Sequence, residues 1–241
     1  MPKYKLFAER KGKMDQAKNN RFVKLAREIY MHARRGGPNP EANPGLKAAI
    51  ANARAFQMPA ENIERAIRKA TGADRDNVEY EEIIYEGYGP GGVAIMVKCL
   101  TDNRNRTAAD VRAIFNKQGG NLGETGCVSY MFDHKGLIVI PRENGTPDED
   151  TVLMQALEAG AEDVVVNDDS FEVLTAPTDF DRVKTALEEA GFSFTSAGVR
   201  WLPQTTVRVE GENAEKLMKM LDAFDDNDDV QDVYHNFELP E

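Results

Sequence analysis

The chain has 241 residues, 41% of them apolar and 29% charged, an ordinary composition for a folded, water-soluble protein. That length suits one large domain or two to three small ones, and no apolar run approaches the ~20 residues of a membrane span. The formal charge of −11 hides two opposite halves: residues 1–75 hold 17 Lys and Arg against 7 Asp and Glu, and the remaining 166 hold 13 against 34. A uniformly acidic chain would repel polyanions, whereas this one carries a +10 head on a −21 body.

The head reads as helical. Residues 1–12 show weak periodicity and read as a mobile basic arm, Met1 to Phe7 lead into no apolar stretch of signal-peptide length, and with only two cysteines of no paired spacing a reducing cytosol is the expected compartment. Phe22, Leu25, Ala26, Ile29, Tyr30 and Ala33 fall on one helical stripe. The helical phase puts Lys13, Lys24, Arg27, Arg34 and Arg35 on the opposite, outward side. Gly36-Gly37-Pro38 ends this helix, and Asn43-Pro44 reads as the cap and first position of the next. There Leu46, Ala49, Ile50 and Ala53 turn inward while Lys47 and Arg54 share a flank. Pro59 opens a third helix with Ile63, Ala66, Ile67 and Ala70 inside and Arg65, Arg68 and Lys69 outside, closed by Thr71-Gly72. Short helices with small inner residues gain their stability by packing together, so a three-helix bundle is expected.

From Asp74 to Glu82 the chain is acidic and reads as a linker. Beyond it the hydrophobic period changes to two: Val93, Ile95, Val97 and Cys99 alternate with their neighbours as in a strand. A helix carries Ala108, Val111, Ile114 and Phe115, and strands are expected at Val128–Phe132 and Gly136–Ile140. Then come a helix with Val152, Leu153, Ala156 and Leu157, two short strands near 162–166 and 171–175, and a helix with Phe180, Val183, Leu187 and Ala190. An extended stretch runs to Leu202, followed by a strand at Thr205–Val209, a helix at Ala214–Phe224 and a last strand at Val230–Phe237. Residues 136–202 thus read β-α-β-β-α-β, a complete ferredoxin-like unit. The flanking pieces, 93–132 and 205–237, would form a second unit around it. The expected class is α+β: an N-terminal three-helix bundle followed by two interleaved ferredoxin-like domains. The expected domains are 1–75; 80–134 with 204–241; and 135–203 inserted.

Few motifs speak for chemistry. Gly87-Tyr88-Gly89-Pro90-Gly91-Gly92 matches G-x-G-x-x-G in letters, but a dinucleotide loop must open a helix and a strand follows here, so a tight turn between strands is expected. Thr101 to Thr107 lies between a strand and a helix and reads as a capped, solvated loop, with Arg104 and Arg106 as a second candidate nucleic-acid contact. Asp225 to Asp229 lacks the glycine and glutamate of a calcium loop and reads as a solvated acidic loop. His235 reads as a strand histidine with an ordinary hydrogen-bond partner. Cys99 and Cys127 have no paired spacing and read as small buried hydrophobes, and with three scattered histidines they make no zinc pattern. No nucleophile–base set stands out, so neither catalysis nor a cofactor or metal is expected. The basic head is the strongest functional signal: its cations would meet phosphates with salt-dependent, largely sequence-blind affinity. Charge cannot choose DNA over RNA.

Several stretches resemble the YebC family. They are Glu41-Ala42-Asn43-Pro44, Met58 to Ile67, Tyr85 to Gly92, Asn105-Arg106-Thr107, Phe115-Asn116-Lys117, Gly119 to Gly123, Val128 to Phe132 and Val233 to Asn236. They span nearly the whole chain in order. The resemblance implies a helical head with two interleaved α+β units, and a cytoplasmic, non-enzymatic, DNA-binding transcriptional regulator. Mitochondrial relatives in that family are translational activators, and some bacterial ones look like ribosome-acting factors. The resemblance therefore implies a nucleic-acid partner, DNA first and ribosomal RNA as the alternative. The acidic domains are left as the surface for protein partners.

Overall fold

The computed structural model describes residues 16–72, 77–143, 145 and 147–238, with side chains in the first helix described from Asn20 onward. Two compact units form. One joins the described residues up to Val128 to Glu210–Val233, and the other joins Ser129–Val209 to the described residues from Tyr234 onward.

The first unit begins with three helices, α1 (Gln16–Gly36), α2 (Pro44–Ala55) and α3 (Ala60–Thr71). Their apolar stripes form one core of Leu25, Ile29, Tyr30, Ala33, Leu46, Ala49, Ile50, Ala53, Ile63, Ala66 and Ala70. α1 packs against both other helices. Alanines at the contacts let short helices approach closely, and Asn43 fixes where α2 starts. Its Oδ1 accepts from Leu46 N at 3.1 Å, while its Nδ2 donates to the carbonyls of His32 and Gly37. It therefore caps α2 and ties that cap to the end of α1.

Next comes a hairpin of β1 (Glu81–Tyr88) and β2 (Ala94–Thr101), in antiparallel register from Glu81 opposite Thr101 to Tyr88 opposite Ala94. Its connection is the glycine-rich motif, where Pro90–Gly92 makes one tight 3-10 turn. Gly91 and Gly92 have φ near +76° and +77°, a region that side chains disfavour, so the glycines serve the turn. The strand that follows leaves no helix N-terminus for a dinucleotide. After β2 come α4 (Arg104–Lys117) and the two-residue β3 (Asn121–Leu122).

The chain then enters the second unit. There β4 (Phe132–Pro141), α5 (Glu149–Ala159), β5 (Asp163–Val166), β6 (Ser170–Thr175), α6 (Phe180–Glu189) and β7 (Ser196–Pro203) follow one another. Their sheet has the order β5-β6-β4-β7, the ferredoxin-like arrangement, and its ladders are antiparallel. α5 and α6 bury Val152, Ala156, Val183 and Leu187 against Ile138, Ile140, Phe171 and Val173. β8 (Val207–Arg208) later pairs in parallel with β10 (Phe237–Glu238).

Between β8 and β10 the chain returns to the first unit with α7 (Gly211–Asp226) and β9 (Val230–His235). The sheet there has the order β3-β1-β2-β9. α4 packs on α7, and Phe115 meets Phe224 edge-on at 5.1 Å between ring centroids.

The α+β class with its N-terminal helices and antiparallel sheets stands as expected from the sequence. Three local readings differ. The strand expected at Val128–Phe132 is a 3-10 turn at Ser129–Met131, and the strand beyond it runs unbroken to Pro141 because Phe132 to Val139 all pair with β7. The expected acidic linker contains the start of β1, whose Glu81 and Glu82 pair with Thr101 and Leu100. The strand expected at Thr205–Val209 is reduced to Val207–Arg208.

Candidate nucleic-acid interface

The basic residues of the head fall into two groups with different surroundings. Arg35, Lys47, Arg54, Arg65, Arg68 and Lys69 are exposed, and Arg34 is half-buried. Arg65, Arg68 and Lys69 sit at i, i+3 and i+4 on α3 and so share a face. Lys47 and Arg54 sit two turns apart on one flank of α2. Arg34 Nη1 donates to the carbonyl of Ala70 at 3.4 Å, which draws the C-terminal ends of α1 and α3 together. Arg34, Arg35, Arg68 and Lys69 are thereby gathered at one end of the bundle. Two exposed ion pairs lie on this face: Lys47 meets Glu41 at 3.0 Å and Arg65 meets Glu61 at 3.4 Å. Such exposed pairs are worth ~0–1 kcal/mol and yield readily to another anion.

Basic residues near helix C-termini also offset the helix dipole, worth ~0.3–1 kcal/mol each. Arg34, Arg35, Arg54, Arg68 and Lys69 all lie in last turns. Dipole compensation accounts for their positions along each helix, but it leaves Lys47 and Arg65 unexplained.

Lys24 and Arg27 differ from the outward placement that the helical phase suggests. Lys24 is 8% exposed, and its ammonium donates to the carbonyl of Asp225 and sits 3.7 Å from that residue's carboxylate. Burial pulls its pKa below the ordinary lysine value against the opposing pull of Asp225 and Asp232. Arg27 Nη1 donates to Asp229 Oδ1 and to the carbonyl of Leu100, each at 2.7 Å, and its guanidinium lies over the Tyr80 ring. α1 is thus covered on two sides, by α2 and α3 and by the segment that leads into β9. Met31, 7% exposed on the supposedly outer side, belongs to the same pattern. Lys13 and the arm of residues 1–12 lie outside the described residues.

The second candidate contact divides in the same way. Arg104 is exposed and meets Glu81 at 2.9 Å. Arg106 grips Asp229 through Nε and Nη2 at 3.0–3.2 Å and reaches Asp102 at 2.9 Å. Asn103 caps α4 by accepting from Arg106 N, as the sequence suggests.

Asp229 is therefore the residue that sequence reasoning missed. It was expected in a solvated acidic loop, yet it is 4% exposed and accepts from Arg27, Arg106 and the Thr107 hydroxyl. Burial alone would raise its pKa, but hydrogen bonds from Arg27, Thr107 and Arg106 outweigh it and hold the carboxyl below its ordinary value. Its backbone carbonyl accepts from Leu100 N, so the same residue ties the end of β2 to the start of β9. The signal was present: of the five residues in that run, Asp229 alone adjoins the apolar strand that follows.

The remaining candidates bear no reactive constellation. Burial pushes the Cys99 thiol up to about 12, an unreactive state, and Cys127 is half-buried. Phe237 N donates to His235 Nδ1 at 3.2 Å. No group of three or more His, Cys, Asp or Glu among the described residues could hold a metal ion, and no helix among them is long and apolar enough to cross a membrane.

A helical head with an exposed basic face, joined to units of antiparallel sheet and helices, defines the class as α+β. Comparison with known proteins makes this specific. Residues 2–73 match the model for the TACO1/YebC protein N-terminal domain, and residues 80–237 match the TACO1/YebC second and third domain. The chain belongs to the TACO1/YebC family. It is 55% identical over 236 residues to a probable transcriptional regulatory protein of Geobacillus kaustophilus, covering 98% of this chain and 96% of that one. A protein of the same description from Pelotomaculum thermopropionicum is 51% identical over 237 residues, covering 98% and 97%. The crystal structure of the conserved hypothetical protein Aq1575 from Aquifex aeolicus superposes with a TM-score of 0.80 at 47% identity, covering 95% of this chain and 93% of that one.

Proposed function

We propose that this chain is a cytoplasmic transcriptional regulatory protein that holds DNA by its phosphates, through Arg35, Lys47, Arg54, Arg65, Arg68 and Lys69 with Arg34 beside them. The observation that carries the reading is the concentration of exposed cations on the helical head of a chain whose other residues are strongly acidic. The names of the relatives favour the same reading. The work of the protein is binding rather than catalysis, and it divides by domain: residues 1–75 grip, while 80–134 with 204–241 and the inserted 135–203 carry the acidic surfaces. Opposite charge on head and body steers a polyanion to the head and keeps it off the rest. Lys24, which is buried, Arg27, which is half-buried, and Arg106, which is exposed, are engaged within the protein and hold α1 and α4 to the end of α7 and the turn before β9. Arg104 remains available beside them as an outlying contact.

Phosphate contacts give affinity that falls with salt, with a slope of roughly −0.9 per phosphate neutralised on duplex DNA. Reversing Arg65, Arg68 and Lys69 to Glu should weaken duplex binding and flatten the log–log salt slope by about 3. Fluorescence anisotropy across a salt series reads both quantities, and an unchanged slope removes α3 from the interface. Crosslinking in cells followed by sequencing of bound DNA and RNA tests the target. Discrete promoter sites are expected. Cosedimentation with ribosomes in the absence of promoter occupancy transfers the same phosphate grip to ribosomal RNA and makes the protein a translation factor.

A further inference from the structure

The outer face of α5 is apolar where an amphipathic surface helix should be polar. Val152 and Ala156 point inward and are fully buried. On the opposite side Met154 is 58% exposed and Leu157 54% exposed. Leu153, half-buried, borders them. At 100° per residue Leu153, Leu157 and Met154 fall within an arc of about 100°, a continuous stripe along the outer surface. Such i, i+3 and i+4 spacing is how one helix offers anchors to another amphipathic segment, and methionine suits a surface that adapts to its partner.

Carboxylates frame the stripe. Asp150 and Glu158 lie one turn before and after Met154 on the same face, and both are exposed, as are Asp148 and Glu149 in the first turn. Residues 148–192 hold 13 acidic side chains and two basic ones. Both bases are already paired, Arg182 with Asp179 at 3.1 Å and Lys184 with Glu188 at 3.4 Å. This field repels nucleic acid. It also opposes isologous pairing of α5 with α5 of a second copy, which would set Asp150 and Glu158 against like charges. The complementary occupant has apolar side chains for the stripe and lysines or arginines for its rim.

We propose that the outer face of α5 is a docking site for a cationic amphipathic segment of a partner protein. Met154 and Leu157 are its apolar anchors, and Asp150 and Glu158 set its charge preference. The site shares no residue with the basic face of the head, so it stands whatever polyanion that face holds.

The test uses the full chain and two labelled peptides of leucine and lysine with identical composition. One is patterned so that its leucines form a helical stripe, and the other is scrambled. The patterned peptide is expected to bind about tenfold more tightly than the scrambled one. Met154→Ser with Leu157→Ser should erase that advantage while leaving the thermal midpoint and duplex DNA binding unchanged, because both side chains are exposed. Asp150→Lys with Glu158→Lys should weaken both peptides. Equal binding of the two peptides reduces the surface to charge alone and overturns the proposal. So does an advantage that survives the serine variant. A concentration-dependent dimer in sedimentation, abolished by the serine variant, assigns the face to a second copy and overturns it as well.

Discussion

Asp229 shows what a single side chain does in this molecule. Its two oxygens receive three donors from two helices, Arg27 of α1 and both Arg106 and Thr107 of α4, at a place almost closed to water. A carboxylate taken out of water is costly unless its charge is met, and here it is met twice. Removing it leaves the Arg27 guanidinium, itself 11% exposed, without its counter-charge. Asp229→Asn should therefore cost about 3 kcal/mol, the lower end of the range for a broken buried pair, because Arg106 keeps access to water. Urea unfolding measures it, and a loss below ~1 kcal/mol would show the network to be peripheral. The same residue sets an acid limit. Its folded pKa lies below the unfolded value of about 3.9, so its stabilisation is complete above that pH and lost as pH falls through the folded value. Stability should decline below about pH 4 more steeply in the parent than in Asp229→Asn. Parallel curves for the two proteins would assign the acid sensitivity to other carboxylates.

At the scale of elements, caps and pairings decide what the hydrophobic pattern leaves open. Asn43 is 7% exposed and satisfies groups on both α1 and α2. Asn43→Ala should cost about 2 kcal/mol, combining a lost N-cap with two half-buried carbonyls deprived of a donor. Asn43→Asp keeps the cap but not the donations, and should fall between the two in thermal unfolding. These elements also show which parts of the fold were legible in the sequence. The three head helices were legible because each buries a single stripe at helical spacing and is punctuated by Gly, Pro or Asn. β1 was not: Glu81, Glu82 and Glu86 interrupt any alternation, so an acidic strand looks like a linker. Glu86 is nevertheless 4% exposed, and it accepts from the amides of Gly126 and Val128 to fix the loop after β3. The exposed cations of α2 and α3 were legible by phase alone. Lys24 and Arg27 were misplaced because a helical wheel reports one buried side, whereas α1 has two, the second depending on residues some 200 positions later in the chain. Met31 was the one local hint.

At the scale of the molecule, the first sheet cannot be completed from a continuous stretch of chain. Leu217, Met220, Leu221 and Phe224 of α7 are all buried, and β9 supplies an edge of the first sheet. A chain ending at Val209 loses both, together with Asp229, and uncovers Phe115, which is otherwise fully buried. Such a truncation should lose near-ultraviolet circular dichroism in the first unit and bind a hydrophobic dye. A variant that joins Val128 directly to Glu210 keeps α7, β9 and Asp229, and should unfold cooperatively. A native-like spectrum from the truncated chain would place the stability of the head elsewhere.

The return of the chain through α7 to Asp229 also sets an order in time. Synthesis proceeds at about 5–20 residues per second, so on the order of 5–20 s separates Val128 from Asp229 on the ribosome. Throughout that interval β2 has an open edge, and Arg27 and Arg106 lack the carboxylate that will hold them. The head can close its own three-helix core early and meet β2 through the Leu100 carbonyl, but the carboxylate that holds Arg27 and Arg106 together must wait for Asp229.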